Sequence, residues 1–278
     1  MYEHQQIFFQ SYILLLHKKI TKGGNKLIWQ FLKYCEILRY RNSIDYEVSG
    51  DYALFSDPIT RASGEKCSYH LPTYSALVGI TSSIYWKPTF MWVIDYVRIM
   101  NPIITEKRGV KIHDYNTNTV DLFYYMYLKD VRYQVRAHMI PNVNHPEFAN
   151  DWNENKHHNI AKRSVKSGSR RNPFLGTSEC FAFVDECVFG EGESYYDNLP
   201  GQIEYGNMFH SFTFPDQAIR EDEKGKLIVN FWNPVLQPGG IVKFIRPEEC
   251  KSKKFIRNMP LTQFEIKNPD EITNLEKY

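Results

Sequence analysis

Residues 131–139 read Val-Arg-Tyr-Gln-Val-Arg-Ala-His-Met and carry the clearest strand pattern in the chain. Apolar and polar side chains alternate at every position, which predicts a β-strand with one face in a core. The other face carries Arg132 and Arg136, so we expect it to be exposed and cationic. Such a face suits contact with a phosphate backbone, although arginines on an exposed strand more often serve only solubility.

The segments before this strand predict a strand, a helix and a second strand. A half-buried strand begins at Ile44, where apolar residues alternate with acidic ones. A helix opens at Pro72 and ends at Pro88, because proline interrupts helical hydrogen bonding. Residues 90–100 form an apolar strand, and we expect a polar loop after it through residue 118.

Further strands are predicted towards the C-terminus. We expect strands at residues 179–189 and 208–214, then a hairpin over residues 227–244 around Pro238-Gly239-Gly240. With the basic helix described next, the order is strand, helix, strands, helix, strands. This order is typical of an α+β sheet protein.

A basic segment lies between residues 151 and 171. From Lys156 to Arg171 it carries six Lys or Arg and two His, with no Asp or Glu. Apolar and small residues recur at helical spacing, which predicts a short helix that ends at Gly168. Lys156 and His157 then lie at the helix N-terminus, where free backbone amides favour an anion. Taken alone, the segment is more typical of a solvated helix face.

Composition indicates a globular protein with locally concentrated charge. The chain has 278 residues, 42% of them hydrophobic, which is enough for a substantial core. The net charge of +2 conceals an acidic region over residues 179–223, with eleven Asp or Glu and one basic residue, Arg220. A polyanion would therefore bind locally rather than over the whole surface.

The cysteines and histidines predict neither a disulfide framework nor a metal centre. The five cysteines form no Cys-x-x-Cys pair, which suits reduced thiols in the cytoplasm. His157 and His158 lack partners at a familiar ligand spacing, and His113-Asp114 is interpreted as a loop feature. We expect no cofactor and no metal.

Residues 1–40 differ from the remainder of the chain. Residues 7–16 are apolar but too short to span a bilayer, and they lack the features of a signal peptide. Residues 27–39 suggest a second amphipathic helix after Gly23-Gly24-Asn25. We interpret residues 1–40 as an appended segment, either a genuine extension or the product of an upstream start codon.

From Arg41 onward, six ordered strings closely resemble the CRISPR-associated Cas-five family. The resemblance is to the catalytic subtype of type I-C systems, within the RAMP superfamily, and it covers roughly residues 41–250. The strings are Gly50–Phe55, Pro72–Ile80, Ile84–Pro88, Leu128–Tyr133, Asn153–His157 and Phe174–Cys180. So many strings in one order are more specific than any single motif.

The resemblance implies both a fold and an activity. It implies a ferredoxin-like (RRM-like) domain over residues 41–222 and a small C-terminal antiparallel β-sheet domain over residues 223–278. It also implies cleavage of precursor CRISPR RNA at the base of the repeat hairpin. The enzyme would then stay on the product, beside the backbone and large subunits of the type I-C interference complex, without membrane contact.

The family's catalytic positions fall on Tyr85, which we place on the last turn of the predicted helix, and on Lys156 and His157. RNA carries its own nucleophile, the 2′-hydroxyl, so cleavage needs a base, a stabiliser of phosphorane charge and an acid. His157 suits proton transfer, Lys156 suits charge neutralisation and Tyr85 suits positioning or proton transfer. The sequence leaves the assignment of base and acid open.

Weaker candidates for RNA contacts are basic residues near this site. They are Arg132, Arg136, Lys162, Arg163, Lys166, Arg170 and Arg171. Considered singly, Tyr85 is more typical of a core aromatic, His157 of a capping or surface residue and Lys156 of a solvated one.

Two other functions remain open from the sequence. Some Cas-five subtypes bind the processed RNA without cutting it, which would make this chain a structural subunit. A metal-dependent DNA nuclease ranks last, because we find no carboxylate cluster suited to two metals.

Overall fold

The computed structural model describes residues 40–57, 60, 64–114 and 119–261. The predicted appended segment lies outside the described residues, except for Tyr40. From Arg41 onward the described residues belong to one compact unit. Within them, no helix is long and apolar enough to cross a membrane.

The described part of the chain is a mixed α/β structure dominated by antiparallel sheet. Its α-helices are α1 over Tyr74–Ile84 and α2 over Glu154–Lys166. The strands are β1 (Ile44–Ala53), β2 (Phe90–Ile99), β3 (Ile104–Asp114), β4 (Thr119–Pro141), β5 (Phe183–Glu186), β6 (Ile203–Glu204), β7 (Met208–Thr213), β8 (Lys226–Trp232), β9 (Val235–Gln237), β10 (Ile241–Lys243) and β11 (Ser252–Asn258).

Two sheets organise these strands. The larger has the order β5-β1-β4-β2-β10-β9-β6, with β3 paired to β4, and the smaller has the order β11-β8-β7. Neighbouring strands in both sheets are antiparallel. The predicted α+β class is therefore confirmed. The predicted domain division after residue 222 stays a prediction. Each sheet combines strands from both sides of residue 222, because β7 precedes it in the small sheet and β9 and β10 follow it in the large sheet.

Helix α1 is confirmed, but it ends at Ile84, before the predicted end at Pro88. The Thr73 side chain caps its N-terminus by accepting a hydrogen bond from the amide of Ala76 at 3.2 Å. Tyr85 is the C-terminal cap residue in an extended conformation, with φ of −157°, and not part of the last turn. Because a proline disfavours helical geometry in the residue before it, Pro88 prevents the helix from continuing towards β2.

The predicted polar loop after β2 is wrong, because residues 104–114 form β3. This strand pairs with the first half of β4 in a register that runs from Ile104 opposite Lys129 to Asp114 opposite Thr119. Most of β3 is exposed. A strand that is exposed on both faces needs no alternation of apolar and polar residues. The sequence of β3 therefore lacks the pattern from which a strand is predicted.

The predicted hairpin over residues 227–244 is also wrong in part. Strands β9 and β10 do form a hairpin around Pro238-Gly239-Gly240, and β10 extends the large sheet beside β2. Strand β8 instead lies between β7 and β11 in the small sheet. The break falls at Asn233-Pro234, where proline cannot continue a ladder of hydrogen bonds.

The polar face of β4 is largely buried, contrary to the exposed face we predicted. Gln134, Arg136 and His138 are each at most 4% exposed. The segment after β5 covers this face, with the ring of Phe189 4.9 Å from the Arg136 guanidinium. Burial is tolerated because these polar groups have partners, such as Asp95 at 2.9 Å from His138.

Candidate active site

Tyr85 and His157 meet in the core between the two helices. The Tyr85 hydroxyl lies 2.8 Å from Nδ1 of His157, and both residues are 0% exposed. Tyr85 reaches this position from the C-terminal cap of α1, and His157 from the first turn of α2. Two of the three predicted catalytic residues are thus in direct contact.

The local sequence of α2 explains how His157 is presented. Asn153 caps the helix by accepting a hydrogen bond from the amide of Lys156 at 3.0 Å. The buried stripe comprises His157, Ala161, Ser164 and Val165. His157 stands one turn before Ala161, so the helical period that predicted the helix also places this histidine on its buried face.

The predicted end of α2 at Gly168 is confirmed. Gly168 has a positive φ of +81°, and its amide donates to the carbonyl of Val165 at 2.9 Å. The amide of Ser169 donates to the carbonyl of Ser164 at 2.9 Å, which completes a Schellman motif. The amide of Arg171 then donates to the carbonyl of Ser83 at 3.0 Å, and this bond ties the end of α2 to α1.

The hydrogen bonds of His157 define its tautomer. Nε2 lies 2.9 Å from the backbone oxygen of Asp151, which can only accept, so Nε2 carries the proton. Nδ1 then accepts from the Tyr85 hydroxyl. Burial lowers the pKa of His157, and the nearby Asp151 only partly opposes that effect. The imidazole is therefore neutral around neutral pH, with its lone pair directed at a hydroxyl.

Lys156 lies beside this pair but faces solvent. Its side chain is 48% exposed, and Nζ is 2.8 Å from Oδ1 of Asp151. The guanidinium of Arg170 lies 5.4 Å from the centre of the Tyr85 ring. The site therefore combines a buried tyrosine–histidine pair with the nearby cations of Lys156 and Arg170, an arrangement suited to proton transfer beside an anionic group.

Sequence reasoning missed Asp151 and Thr89. Oδ2 of Asp151 accepts a hydrogen bond from the hydroxyl of Thr89 at 2.9 Å and lies 3.7 Å from Nζ of the buried Lys87. Burial acts to raise the pKa of Asp151, but the bonds from Lys156 and Thr89, with the charge of Lys87, hold it below its usual value. The only signal in the sequence was an acidic residue five positions before Lys156.

The predicted RNA-contacting residues divide into two groups. Arg136 has a side chain that is 5% exposed and makes a bidentate pair with Asp45 at 2.7 and 2.9 Å, so it is not available to phosphate. Its contact with RNA stays a prediction that this burial speaks against, and the burial depends on the segment after β5, which the strand pattern does not predict. Arg132 is half exposed and paired with Glu47 at 2.7 Å. The exposed residues are Lys162, Arg163, Lys166, Arg170 and Arg171.

The histidines outside this site form no metal centre among the described residues. In that part of the chain, no three His, Cys, Asp or Glu side chains are grouped to hold a metal ion. His138 and His145 each lie beside a carboxylate, of Asp95 and Glu147 respectively. His113 lies on β3 and is exposed, so its interpretation as a loop residue was wrong.

Comparison with known proteins gives the family. The profile of the family described as "CRISPR-associated protein (Cas_Cas5)", of subtype Cas5d, matches residues 43–242. The chain belongs to this Cas5 family of CRISPR-associated proteins. The resemblance that the six sequence strings indicated is thereby confirmed.

Individual relatives agree with this assignment. A protein of Mannheimia succiniciproducens named "CRISPR pre-crRNA endoribonuclease Cas5d" is 31% identical over 171 residues, covering 52% of this chain and 74% of the relative. A Thermus thermophilus protein of the same name is 31% identical over 152 residues, covering 49% and 61%. A solved structure titled "Crystal Structure of CRISPR-associated Protein" is 32% identical with a TM-score of 0.64, covering 79% of this chain and 99% of that one.

Proposed function

We propose that this protein is a metal-independent endoribonuclease that cuts precursor CRISPR RNA at the base of the repeat hairpin. We propose also that it then holds the RNA handle as a subunit of the type I-C interference complex. The observation that carries the proposal is the 2.8 Å contact between the Tyr85 hydroxyl and His157, with Lys156 adjacent in the chain. The names of the two relatives support the same activity.

The chemistry starts from the 2′-hydroxyl of the RNA. Its oxygen attacks the adjacent phosphorus and loses its proton, while the bond to the 5′-oxygen breaks and that oxygen gains a proton. The products are a 2′,3′-cyclic phosphate and a 5′-hydroxyl. Nδ1 of neutral His157 can accept a proton, and the Tyr85 hydroxyl can donate one, so the pair supplies both functions.

Lys156 supplies the third requirement, a positive charge near the phosphorane. Its exposed ammonium is held by Asp151, within reach of a phosphate that approaches from solvent. Such a charge stabilises the negative charge that develops on the phosphorane in the transition state. The exposed cations of α2 and the residues after it would bind neighbouring phosphates, which would fix the register of the RNA.

A second function is favoured by the burial of the site. Tyr85 and His157 are 0% exposed, so RNA cannot touch either side chain without movement of the surrounding residues. A subunit that only holds the handle has no need to expose them. In that case the buried pair joins the two helices, and the exposed cations bind the RNA.

The strand order supports a finer proposal on the fold. Strands β5, β1, β4 and β2 are neighbours in that order, and their pairs are antiparallel. Helix α1 connects β1 to β2, and α2 lies between β4 and β5. We propose that these six elements form a ferredoxin-like domain within residues 41–222, to which the small sheet is appended.

Cleavage of the repeat RNA from the protein's own CRISPR locus, in excess EDTA, tests the activity. The proposal expects cutting at one position, with a cyclic phosphate on the upstream product and a 5′-hydroxyl on the downstream one. Tight binding without cutting would identify a structural subunit. Cutting that stops in EDTA and returns with a divalent metal would contradict metal independence.

A further inference from the structure

Asp151 contacts both Lys156 and His157 of the candidate site. Its carboxylate accepts from Lys156 at 2.8 Å through Oδ1 and from Thr89 at 2.9 Å through Oδ2. Its backbone oxygen accepts from Nε2 of His157 at 2.9 Å, and Oδ2 lies 3.6 Å from the same nitrogen. One residue thus orients both a cation and a candidate proton carrier.

The anchoring of Asp151 explains why this arrangement is fixed. Asp151 is the last residue of a short 3₁₀ helix, Pro146–Asp151, and its side chain is only 12% exposed. Thr89 is 3% exposed and lies between α1 and β2. Lys87, also buried, places its ammonium 3.7 Å from Oδ2. The carboxylate is therefore held by the segment that leads into β2 as well as by α2.

From this geometry we infer that Asp151 is a positioning residue for the cleavage reaction, with Thr89 as its anchor. The backbone oxygen of Asp151 holds the imidazole of His157 with Nε2 protonated, which leaves Nδ1 to exchange a proton with Tyr85. The hydrogen bond from Thr89 to the Asp151 carboxylate fixes the position of that backbone oxygen. It also holds the Lys156 ammonium beside the buried pair. This inference rests on the proposed endoribonuclease activity and adds a residue to it.

The inference predicts a change in pH dependence. Charged and titratable groups surround the candidate site from every element packed against it. These elements are α2, the 3₁₀ helix, the segment between α1 and β2, the cap of α1 and the segment after α2. The groups are Lys156, Asp151, Lys87 and Tyr85, and Arg170 lies over the ring of Tyr85. Asp151 is the acid among them, and its charge opposes the lowering of the His157 pKa. Replacing it by a neutral amide leaves the cations unopposed and lowers that pKa further.

Asp151→Asn is the first test, with single-turnover cleavage measured across a range of pH. We expect the rate to fall on the order of 10²-fold, since misplacement of reacting groups has effects of this size. Affinity for an uncleavable RNA should change little, and the limb of the pH–rate profile governed by His157 should move to lower pH. Asp222→Asn is the matched control, because it neutralises an exposed carboxylate paired with Arg220. It should change neither the cleavage rate nor the pH–rate profile.

Thr89→Val keeps the charge of the site and the volume of the side chain but removes the hydrogen bond to Asp151. We expect a smaller fall in rate, with the pH profile close to that of the wild type. This variant carries the test if Asp151→Asn does not fold. Nitrogen-15 NMR of the free protein reports the tautomer of His157 without RNA. We expect Nε2 to be protonated and Nδ1 to be unprotonated.

The outcomes separate the two proposals. A wild-type protein that binds repeat RNA without cutting it contradicts the endoribonuclease itself. A wild-type protein that cuts, while folded Asp151→Asn keeps both its rate and its pH profile, overturns the role of Asp151 and leaves the endoribonuclease intact. An unchanged rate in Thr89→Val, or NMR that shows Nδ1 protonated, overturns the positioning role as well.

Discussion

The Tyr85 hydroxyl donates to Nδ1 of His157 at 2.8 Å across a separation of 72 residues. The contact joins the end of α1 to the start of α2, beside the large aromatic side chains of Phe90 and Trp152, whose rings lie 5.3 and 5.9 Å from His157. A hydrogen bond in such surroundings is stronger than one in water, and removing either partner leaves a buried polar atom unsatisfied. The pair therefore contributes to stability as well as to the proposed chemistry.

Tyr85→Phe should reduce cleavage sharply with a modest effect on stability. The ring stays packed, but His157 loses its donor, which costs about 1–3 kcal/mol of unfolding free energy. Removal of an acid or base group lowers the rate by roughly 10²–10⁴-fold. Single-turnover cleavage and denaturant unfolding measure the two effects.

Tyr46→Phe is the matched control for that variant. Tyr46 is likewise 0% exposed, and its hydroxyl lies 2.7 Å from the hydroxyl of Thr81. The substitution should lower stability to a similar extent while cleavage is retained. An equal fall in cleavage in both variants would show that Tyr85 acts only through the packing of α1.

The buried pair of Arg136 and Asp45 should matter for folding rather than for RNA binding. In Arg136→Met the carboxylate of Asp45 stays buried but loses its bidentate partner, which costs about 3–5 kcal/mol of unfolding free energy. Denaturant unfolding measures this cost. The affinity of the folded variant for an uncleavable repeat RNA should match that of the wild type.

Arg132→Met is the matched control for the buried pair. Arg132 lies on the same strand, β4, but it is half exposed and paired with Glu47 at 2.7 Å. The Arg132 side chain is half exposed, although Glu47 is only 14% exposed, so solvent screens this pair more than the buried one. The substitution should therefore cost clearly less unfolding free energy than Arg136→Met. Equal effects of the two substitutions would contradict the contrast between a buried and an exposed pair.

The exposed cations of α2 should contribute to RNA affinity in a salt-dependent manner. Replacing Lys162, Arg163 and Lys166 by alanine removes three charges that are exposed to solvent. Each phosphate that the variant no longer neutralises should reduce the slope of log affinity against log salt by roughly 0.7–0.9. Titration of an uncleavable repeat RNA at several salt concentrations measures that slope, and an unchanged slope would exclude these residues from the interface.

Stability should fall as the pH drops from about 6.5 towards 4, in part because of His210. Burial lowers the pKa of His210 to about 4, although its bond to the Ile245 carbonyl opposes the shift. The unfolded chain therefore binds a proton in this window that the folded chain does not, and stability decreases as the pH falls. A shift of this size corresponds to about 3 kcal/mol.

His210→Gln removes this titration and keeps an amide that can donate to Ile245. The variant should be less stable at neutral pH but should lose less stability as the pH falls through the same window. Thermal unfolding across that range measures the difference. Parallel decreases in the variant and the wild type would show that other groups cause the acid sensitivity.

The core of the fold was predictable because its signals are local. The alternation along residues 131–139 predicted the C-terminal half of β4, and the helical spacing after Asn153 predicted α2 with its end at Gly168. Strand β3 and the burial of Arg136 were not predictable in this way. Strand β3 depends on its pairing with β4, and the burial of Arg136 depends on the segment that covers it. Neither contact can be inferred from the local pattern of apolar and polar residues.

The candidate site shows the same division. Tyr85, Lys156 and His157 were named through the resemblance to the family, and no local pattern would have paired a helix cap with a residue 72 positions away. Asp151 was missed because its role depends on Thr89, which approaches from another part of the fold. Contacts of this kind become visible only when the chain is folded.

Single-turnover cleavage of the repeat hairpin RNA in excess EDTA, beside a copy with a 2′-deoxy sugar at the scissile nucleotide, tests whether the RNA's own hydroxyl is the nucleophile. We expect the all-RNA substrate to be cut to a cyclic phosphate, and the 2′-deoxy copy to be bound but left intact. Cleavage of both substrates would contradict attack by the RNA's own hydroxyl. Binding of both without cleavage would contradict catalysis and leave a subunit that holds the RNA handle.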